Sequence, residues 1–185
     1  MTDTDITTSH QSTGNDGNGH GSHVAAVALS SRKVKGEYNG IAPEADLVVV
    51  KAFAADGQST YADVLRGLDW VLRNRERLSI RVLNLSFSAP VRSHYWDDPI
   101  NQAVMRLWEA GIVVVASAGN TGPAPMIIGV PGNLPYIITV GAMTDVYTPE
   151  DRSDDRLTWF SGRPAPPTKG SSNRTWWRRV GICEA

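Results

Sequence analysis

Residues 98–120 read DPINQAVMRLWEAGIVVVASAGN and combine the signals of a helix and of a strand. Asp98-Pro99 is typical of a helix start, with an N-cap residue followed by proline at the first helical position. The apolar stripe that follows at helical spacing comprises Ile100, Ala103, Val104, Leu107 and Trp108. Gly111 is a stop signal, and the all-apolar run 112–116 predicts a buried strand.

The same alternation extends on both sides of this stretch. Further apolar strands are predicted at 46–53, 81–86 and 136–140. A helix is predicted from Thr60, with Asp63 three residues later completing an approximate capping box. The inner stripe of that helix comprises Val64, Leu65, Leu68, Val71 and Leu72. Because apolar strands separated by amphipathic helices form crossover connections, we predict an α/β fold, a parallel β-sheet with helices on both faces.

The two ends of the chain differ from its middle. Residues 1–14 are almost entirely polar, which predicts a disordered N-terminal segment. The domain itself is predicted over residues 15–163 and begins with a short helix at 20–30. The inner face of this helix would comprise Val24, Val27 and Ala28. Residues 164–185 form a tail that contains Trp-Trp-Arg-Arg and lacks usable periodicity.

Composition narrows the function classes. The 185 residues carry a formal net charge of −1, so a polyanionic partner such as nucleic acid is not expected. Cys183 is the one cysteine of the sequence, which rules out an internal disulfide. No apolar run is long enough for a membrane span or a signal peptide. We therefore expect a cytoplasmic protein, with secretion of a longer parent left open and the oligomeric state undetermined.

The first polar cluster is NDGNGHGSHVA at residues 15–25. A dinucleotide-binding loop is rejected because no predicted strand precedes the glycines and their spacing differs. His20 and His23 share a helix face, so together they could contribute to a metal site. No third ligand accompanies them, and they could equally cap or pack the helix start.

The second polar cluster is SAGN at residues 117–120, directly after the strand 112–116. Ligands in open α/β folds bind at the carboxyl edge of the sheet, where the amide of Asn120 would lie. Asparagine also ends strands for ordinary turn reasons. This cluster alone therefore does not decide the function.

Together the clusters resemble the motifs of the subtilases, the subtilisin-like serine peptidases. HGSHVAA at 20–26 resembles H-G-T-H-V-A-G, and SAGN at 117–120 resembles A-A-G-N. Between them, GIAPEA at 40–45 resembles G-V-A-P-x-A, and VLNLS at 82–86 resembles V-I-N-L-S. The resemblance covers residues 15–163 in one order and implies a subtilisin-like α/β fold.

The resemblance implies a role for each matching residue. His20 would be the general base, His23 a structural neighbour, and Asn120 the side-chain donor to the oxyanion. The segment that pairs with the substrate backbone would comprise Ser86, Phe87 and Ser88. The opposite wall of the pocket would comprise Ser117, Ala118 and Gly119. The implied reaction is peptide-bond hydrolysis of polypeptides through an acyl-enzyme; structural calcium occurs in the family, but the sequence assigns no ligands to it.

Two triad members of the family pattern are missing from the 185 residues. The aspartate belongs in a D-T-G or D-S-G setting after an upstream strand, and Asp3, Asp5 and Asp16 lack that setting. The nucleophile belongs in G-T-S-M-A, which does not occur. The serines interpreted instead as pocket or core hydroxyls are Ser86, Ser88, Ser117 and Ser161. We therefore predict that the chain by itself does not turn over peptides.

Other departures affect the pocket and the tail. Phe87-Ser88 stands where Leu-Gly is common in the family, so the resemblance does not fix the width of the pocket. In the tail, Trp176-Trp177 must be encoded TGGTGG, because tryptophan has a single codon. Read in a shifted frame, permissible codons of this stretch can encode KPDLVAPG, a motif of the family. We interpret residues 164–185 as a frameshift product; nucleic-acid binding by this tail is the less favoured alternative.

Two further classes of function stay open. The strand Leu85–Ser88 could bind an extended peptide by strand addition without catalysis. A metal hydrolase using His20 and His23 is the third hypothesis.

Overall fold

The structure is a computed structural model that describes residues 2–5, 16–124, 127–148 and 150–162. The chain divides into two compact units, Met1–Ile80 and Arg81–Ala185. The tail of residues 164–185 lies outside the described residues, as does the segment 6–15 before the first helix. No helix within the described ranges has the length and apolar content that crossing a membrane requires.

The first unit contains four strands and two helices among its described residues. They are β1 (Thr2–Asp5), α1 (His20–Leu29), β2 (Lys33–Val34), β3 (Glu37–Tyr38), β4 (Val48–Lys51) and α2 (Tyr61–Asn74). β1 and β4 form a parallel pair in the register Thr2↔Val48 to Asp5↔Lys51. β2 and β3 form a short antiparallel hairpin.

The predicted disorder of residues 1–14 is wrong for Thr2–Asp5. This segment has no apolar alternation, which is why its sequence does not indicate a strand. Pairing with β4 nevertheless satisfies backbone N–H and C=O groups, a gain that depends little on side-chain polarity. Val48–Lys51, which lie within the predicted apolar strand 46–53, form β4 and are all half-buried.

Helix α2 follows its sequence signals closely. The Thr60 side chain accepts the Asp63 N–H at 3.1 Å, and its hydroxyl donates to Asp63 Oδ2 at 2.8 Å. Val64, Leu68 and Val71 are buried, each no more than 6% exposed. Leu65 and Leu72, at the margins of the predicted stripe, are half-buried. The predicted capping of α2 by Thr60 and its apolar stripe are therefore confirmed, and α2 packs on β4.

The second unit contains one helix and five strands among its described residues. They are β5 (Val82–Leu85), α3 (Pro99–Glu109), β6 (Val113–Ser117), β7 (Ile138–Val140), β8 (Met143–Thr144) and β9 (Arg156–Leu157). β5, β6 and β7 form a parallel sheet in that order, while β8 and β9 pair antiparallel. Parallel strands connected through helices confirm the predicted α/β class.

Helix α3 packs on β6 and forms much of the core of this unit. Asp98 caps it by accepting the N–H groups of Ile100 at 2.9 Å and Asn101 at 3.2 Å. Ile100, Val104 and Leu107 are no more than 1% exposed. Trp108 is 44% exposed, so its predicted place in the inner stripe is wrong. One residue corresponds to about 100° around a helix, which turns Trp108 away from the face of Leu107.

Candidate active site

His20 is the first residue of α1, and its side chain is exposed. The N-cap residue Gly19 has no side chain to accept hydrogen bonds from the helix start. Asp16 supplies that acceptor from three residues upstream. Its carboxylate accepts the N–H groups of Ser22 at 2.7 Å, Gly19 at 2.9 Å and Asn18 at 3.2 Å. Asp16 therefore fixes the turn that presents His20, a positioning role that the sequence did not reveal.

These hydrogen bonds change the acidity of Asp16. The backbone N–H of Ser22, followed by that of Gly19, lowers the pKa of the Asp16 carboxyl from 3.8 to about 2. Hydrogen bonds to the charged form of a carboxylate stabilise it, and the positive end of the helix dipole adds to this effect. The carboxylate is thus already charged at neutral pH, where it serves as the cap.

We expect Asp16→Asn to lower the thermal unfolding midpoint at neutral pH, because the variant loses a charged acceptor at the helix start. A group with a depressed folded-state pKa stabilises the fold above its unfolded pKa and loses that contribution as pH falls. The difference between the two proteins should therefore shrink below pH 3.8 and disappear below about 2. Melting curves of both proteins across this range test it; a difference that does not change with pH would contradict the assigned role.

The metal hypothesis receives no support from the surroundings of His20 and His23. Both histidines are exposed on the first turn of α1. Within the described residues there is no cluster of three His, Cys, Asp or Glu side chains that could hold a metal ion. Asp16, the nearest carboxylate along the described chain, is engaged by backbone N–H groups.

In the second unit, the segment after β6 carries Asn120 beyond the carboxyl end of the sheet. Ala118 N–H donates to Val140 O at 2.8 Å and continues the contact with β7. Gly119 then turns the chain with φ +84°, and its N–H donates to Ser117 Oγ at 3.1 Å. Ala118 and Gly119 are buried, whereas Asn120 is exposed. An amide side chain is thus held on a fixed turn at the edge where ligands bind in such sheets.

The segment 86–88 runs from the end of β5 toward a second anchoring point. Ser86 Oγ accepts the Asn84 side-chain N–H at 2.7 Å. Ala89 forms an antiparallel bridge with Val130, with an N–O distance of 2.9 Å in each direction. The segment is therefore held at both ends, with the exposed residue Ser88 just before the bridge.

The two predicted walls of the pocket meet at Ser88. A Cβ atom on Gly119 would lie 2.6 Å from Ser88 Oγ, and one on Gly129 would overlap the same oxygen. Gly129 N–H donates to Ala118 O at 3.3 Å. The structure thus places Ser88 against Gly119 and Gly129, and Gly129 is hydrogen-bonded to Ala118.

Residues 161–162 form hydrogen bonds that hold the turn at Gly119 and the segment after β7. Ser161 is fully buried, and its Oγ accepts the Ala142 N–H at 3.0 Å. Gly162 N–H donates to Gly119 O at 2.9 Å, and a Cβ atom on Gly162 would overlap Ala118 O. Ser161 is therefore a core hydroxyl. The sequence has 17 glycines, and no spacing in it distinguishes Gly129 and Gly162 from the others.

Comparisons with known proteins agree with these features. The chain matches the model of the Subtilase family over residues 2–181. It is 40% identical over 154 residues to serine protease AprX of Bacillus subtilis (strain 168), a match that covers 80% of the chain and 35% of AprX. It is 35% identical over 137 residues to subtilisin DY of Bacillus licheniformis, covering 73% of the chain and 47% of that protein.

Solved structures give the same result. The structure of sphericase superposes with a TM-score of 0.72 and 28% sequence identity, covering 85% of this chain and 50% of sphericase. The chain thus spans half or less of the length of these relatives. The family match extends over nearly all of the 185 residues and includes both polar clusters. The chain accordingly belongs to the subtilase family of serine peptidases.

Proposed function

We propose that this chain is the histidine- and asparagine-bearing portion of a serine endopeptidase that cleaves polypeptides. The observation that carries the proposal is the exposed Asn120 on the turn fixed by Gly119, next to the pocket walls that meet at Ser88. The names of AprX and the subtilisins describe proteases that this chain covers only in part.

In this proposal each residue has a stated chemical task. A serine hydroxyl supplied by the rest of the protein attacks the peptide carbonyl, and His20 takes its proton. The Asn120 side-chain N–H stabilises the negative oxygen that forms on the carbonyl. His20 then donates its proton to the leaving amine, and water hydrolyses the acyl-enzyme.

The 185-residue chain by itself has a narrower proposed function. It contains no G-T-S-M-A motif, and an exposed histidine without the nucleophile cannot form an acyl-enzyme. Binding of an extended peptide without turnover is then what remains. Within the described residues, β5 lies at one end of the sheet β5-β6-β7, and the segment 86–88 that continues it could bind a peptide by strand addition.

We expect the purified chain to bind a fluorescently labelled extended peptide saturably and to leave it intact. Fluorescence anisotropy measures the binding, and chromatography of the same mixture after prolonged incubation detects products. The matched control is the same peptide with N-methyl groups along its backbone, which cannot pair with a strand. Cleavage would refute the predicted inactivity, while failure of the unmodified peptide to saturate would refute peptide binding.

The frameshift interpretation of residues 164–185 also remains a proposal. The family match reaches residue 181 and so extends into this tail. Sequencing of the gene across the codons of residues 163–169 and beyond decides it. A shifted frame that continues into a G-T-S-M-A serine motif supports the interpretation, and confirmation of the frame as written removes it.

A further inference from the structure

The side chain of Ser88 lies between two glycines on neighbouring segments. Its Oγ would overlap a Cβ atom on Gly129 and lies 2.6 Å from the place of a Cβ on Gly119. Its own Cβ is 3.2 Å and 3.4 Å from the Cβ positions of Gly119 and Gly129, respectively. The absence of side chains at both glycines therefore opens a space, and Ser88 occupies part of it.

Ser88 has little freedom to leave this position. Ala89, the next residue, is fixed by its bridge to Val130, with both hydrogen bonds at 2.9 Å. Gly129 and Val130 are buried, and Gly129 is tied to Ala118 O. Rotation about the Ser88 side-chain bond moves Oγ but leaves Cβ against both glycines. A ligand side chain that enters between the segments 86–88 and 117–119 must share the space with Ser88.

We infer that Ser88 is a specificity-determining residue that restricts the peptide side chain entering this pocket to small ones, namely glycine, alanine or serine. The inference rests on the proposed function, because it assumes that the two walls bind a peptide. The physical basis is volume: close-packed sites tolerate extra carbon atoms poorly, and overfilling a packed space costs free energy. Large aliphatic and aromatic side chains would require Ser88 or the bridge at Ala89 to move.

The test compares peptides that differ in one side chain, with alanine, leucine or phenylalanine at the residue that enters the pocket. Anisotropy titrations use the full 185-residue chain and its Ser88→Gly and Ser88→Ala variants. We expect the unsubstituted chain to bind the alanine peptide at least about 10-fold more tightly than the phenylalanine peptide, because one surplus methylene in a pocket already costs about that much and a benzyl group adds more volume. Ser88→Gly should gain affinity for the phenylalanine peptide by at least about tenfold, with Ser88→Ala in between.

A matched control is Ser93→Gly, which replaces another exposed serine of the same unit outside the two walls. It should keep the preference for alanine. Equal binding of all three peptides by the unsubstituted chain, or a preference unchanged in both Ser88 variants, would overturn the inference while the proposed peptide binding stands. Absence of binding by every protein and peptide would overturn the proposed function and this inference with it.

Discussion

Replacing His20 by alanine is expected to lower kcat about 10⁶-fold in a chimera that supplies the missing triad residues. In this chimera, residues 16–162 replace the matching segment of AprX, to which the chain is 40% identical. The loss is expected to be this large because the serine hydroxyl is a weak nucleophile unless a base removes its proton. Subtilisin is the enzyme on which this magnitude was established. Initial rates with a chromogenic peptide measure the effect.

His23→Ala is the matched control, because His23 is also exposed and lies on the same turn of α1. Its activity should stay close to that of the unsubstituted chimera. Asn120→Ala should lower kcat by about 10²–10³-fold, the known cost of one oxyanion donor, for which subtilisin is again the source. Similar losses in His20→Ala and His23→Ala would refute the assignment of the base. An active chimera that tolerates Asn120→Ala would refute the oxyanion role.

The helix starts could be predicted from the sequence because their chemistry is local. Thr60 and Asp63, and likewise Asp98 and Pro99, lie within one turn of each other, so the capping bonds follow from sequence spacing alone. The strand Val113–Ser117 was recognisable from its apolar run, although only its alternate residues Val114 and Ala116 are buried and Val113 is 48% exposed. These signals are sufficient to predict an α/β fold.

The features that were missed depend on contacts between distant segments. β1 forms through pairing with β4, which follows it by more than 40 residues, and nothing in TDTD indicates that pairing. Ser88, Gly119 and Gly129 converge only through the tertiary fold. The sequence could therefore suggest the pocket walls through a family resemblance. The position of Ser88 between the two glycines is visible only in the folded structure. The capping of α1 by Asp16 was also missed, because Asp16, whose carboxylate is the acceptor, lies three residues before the N-cap position Gly19.

Leu107→Ala is expected to lower the free energy of unfolding by about 2–5 kcal/mol, the usual cost of truncating a buried leucine. Leu107 is 0% exposed and lies on the face of α3 that packs on β6. Its truncation removes apolar contacts and leaves a cavity beside Val104 and Ile100, which are equally enclosed. Urea denaturation of the full chain, followed by far-ultraviolet circular dichroism, measures the loss.

Trp108→Ala is the matched control, because it truncates the next residue of the same helix. Trp108 is 44% exposed, and its ring contacts Tyr136 with centroids 5.6 Å apart. The aromatic contact contributes about 1 kcal/mol beyond the area that this half-exposed ring buries, so the loss should be smaller than that of Leu107→Ala. The order of the two effects tests the orientation of α3, since the apolar spacing in the sequence placed both residues in the core. If Trp108→Ala proved more damaging than Leu107→Ala, the helix would have to be rotated so that the tryptophan faces β6.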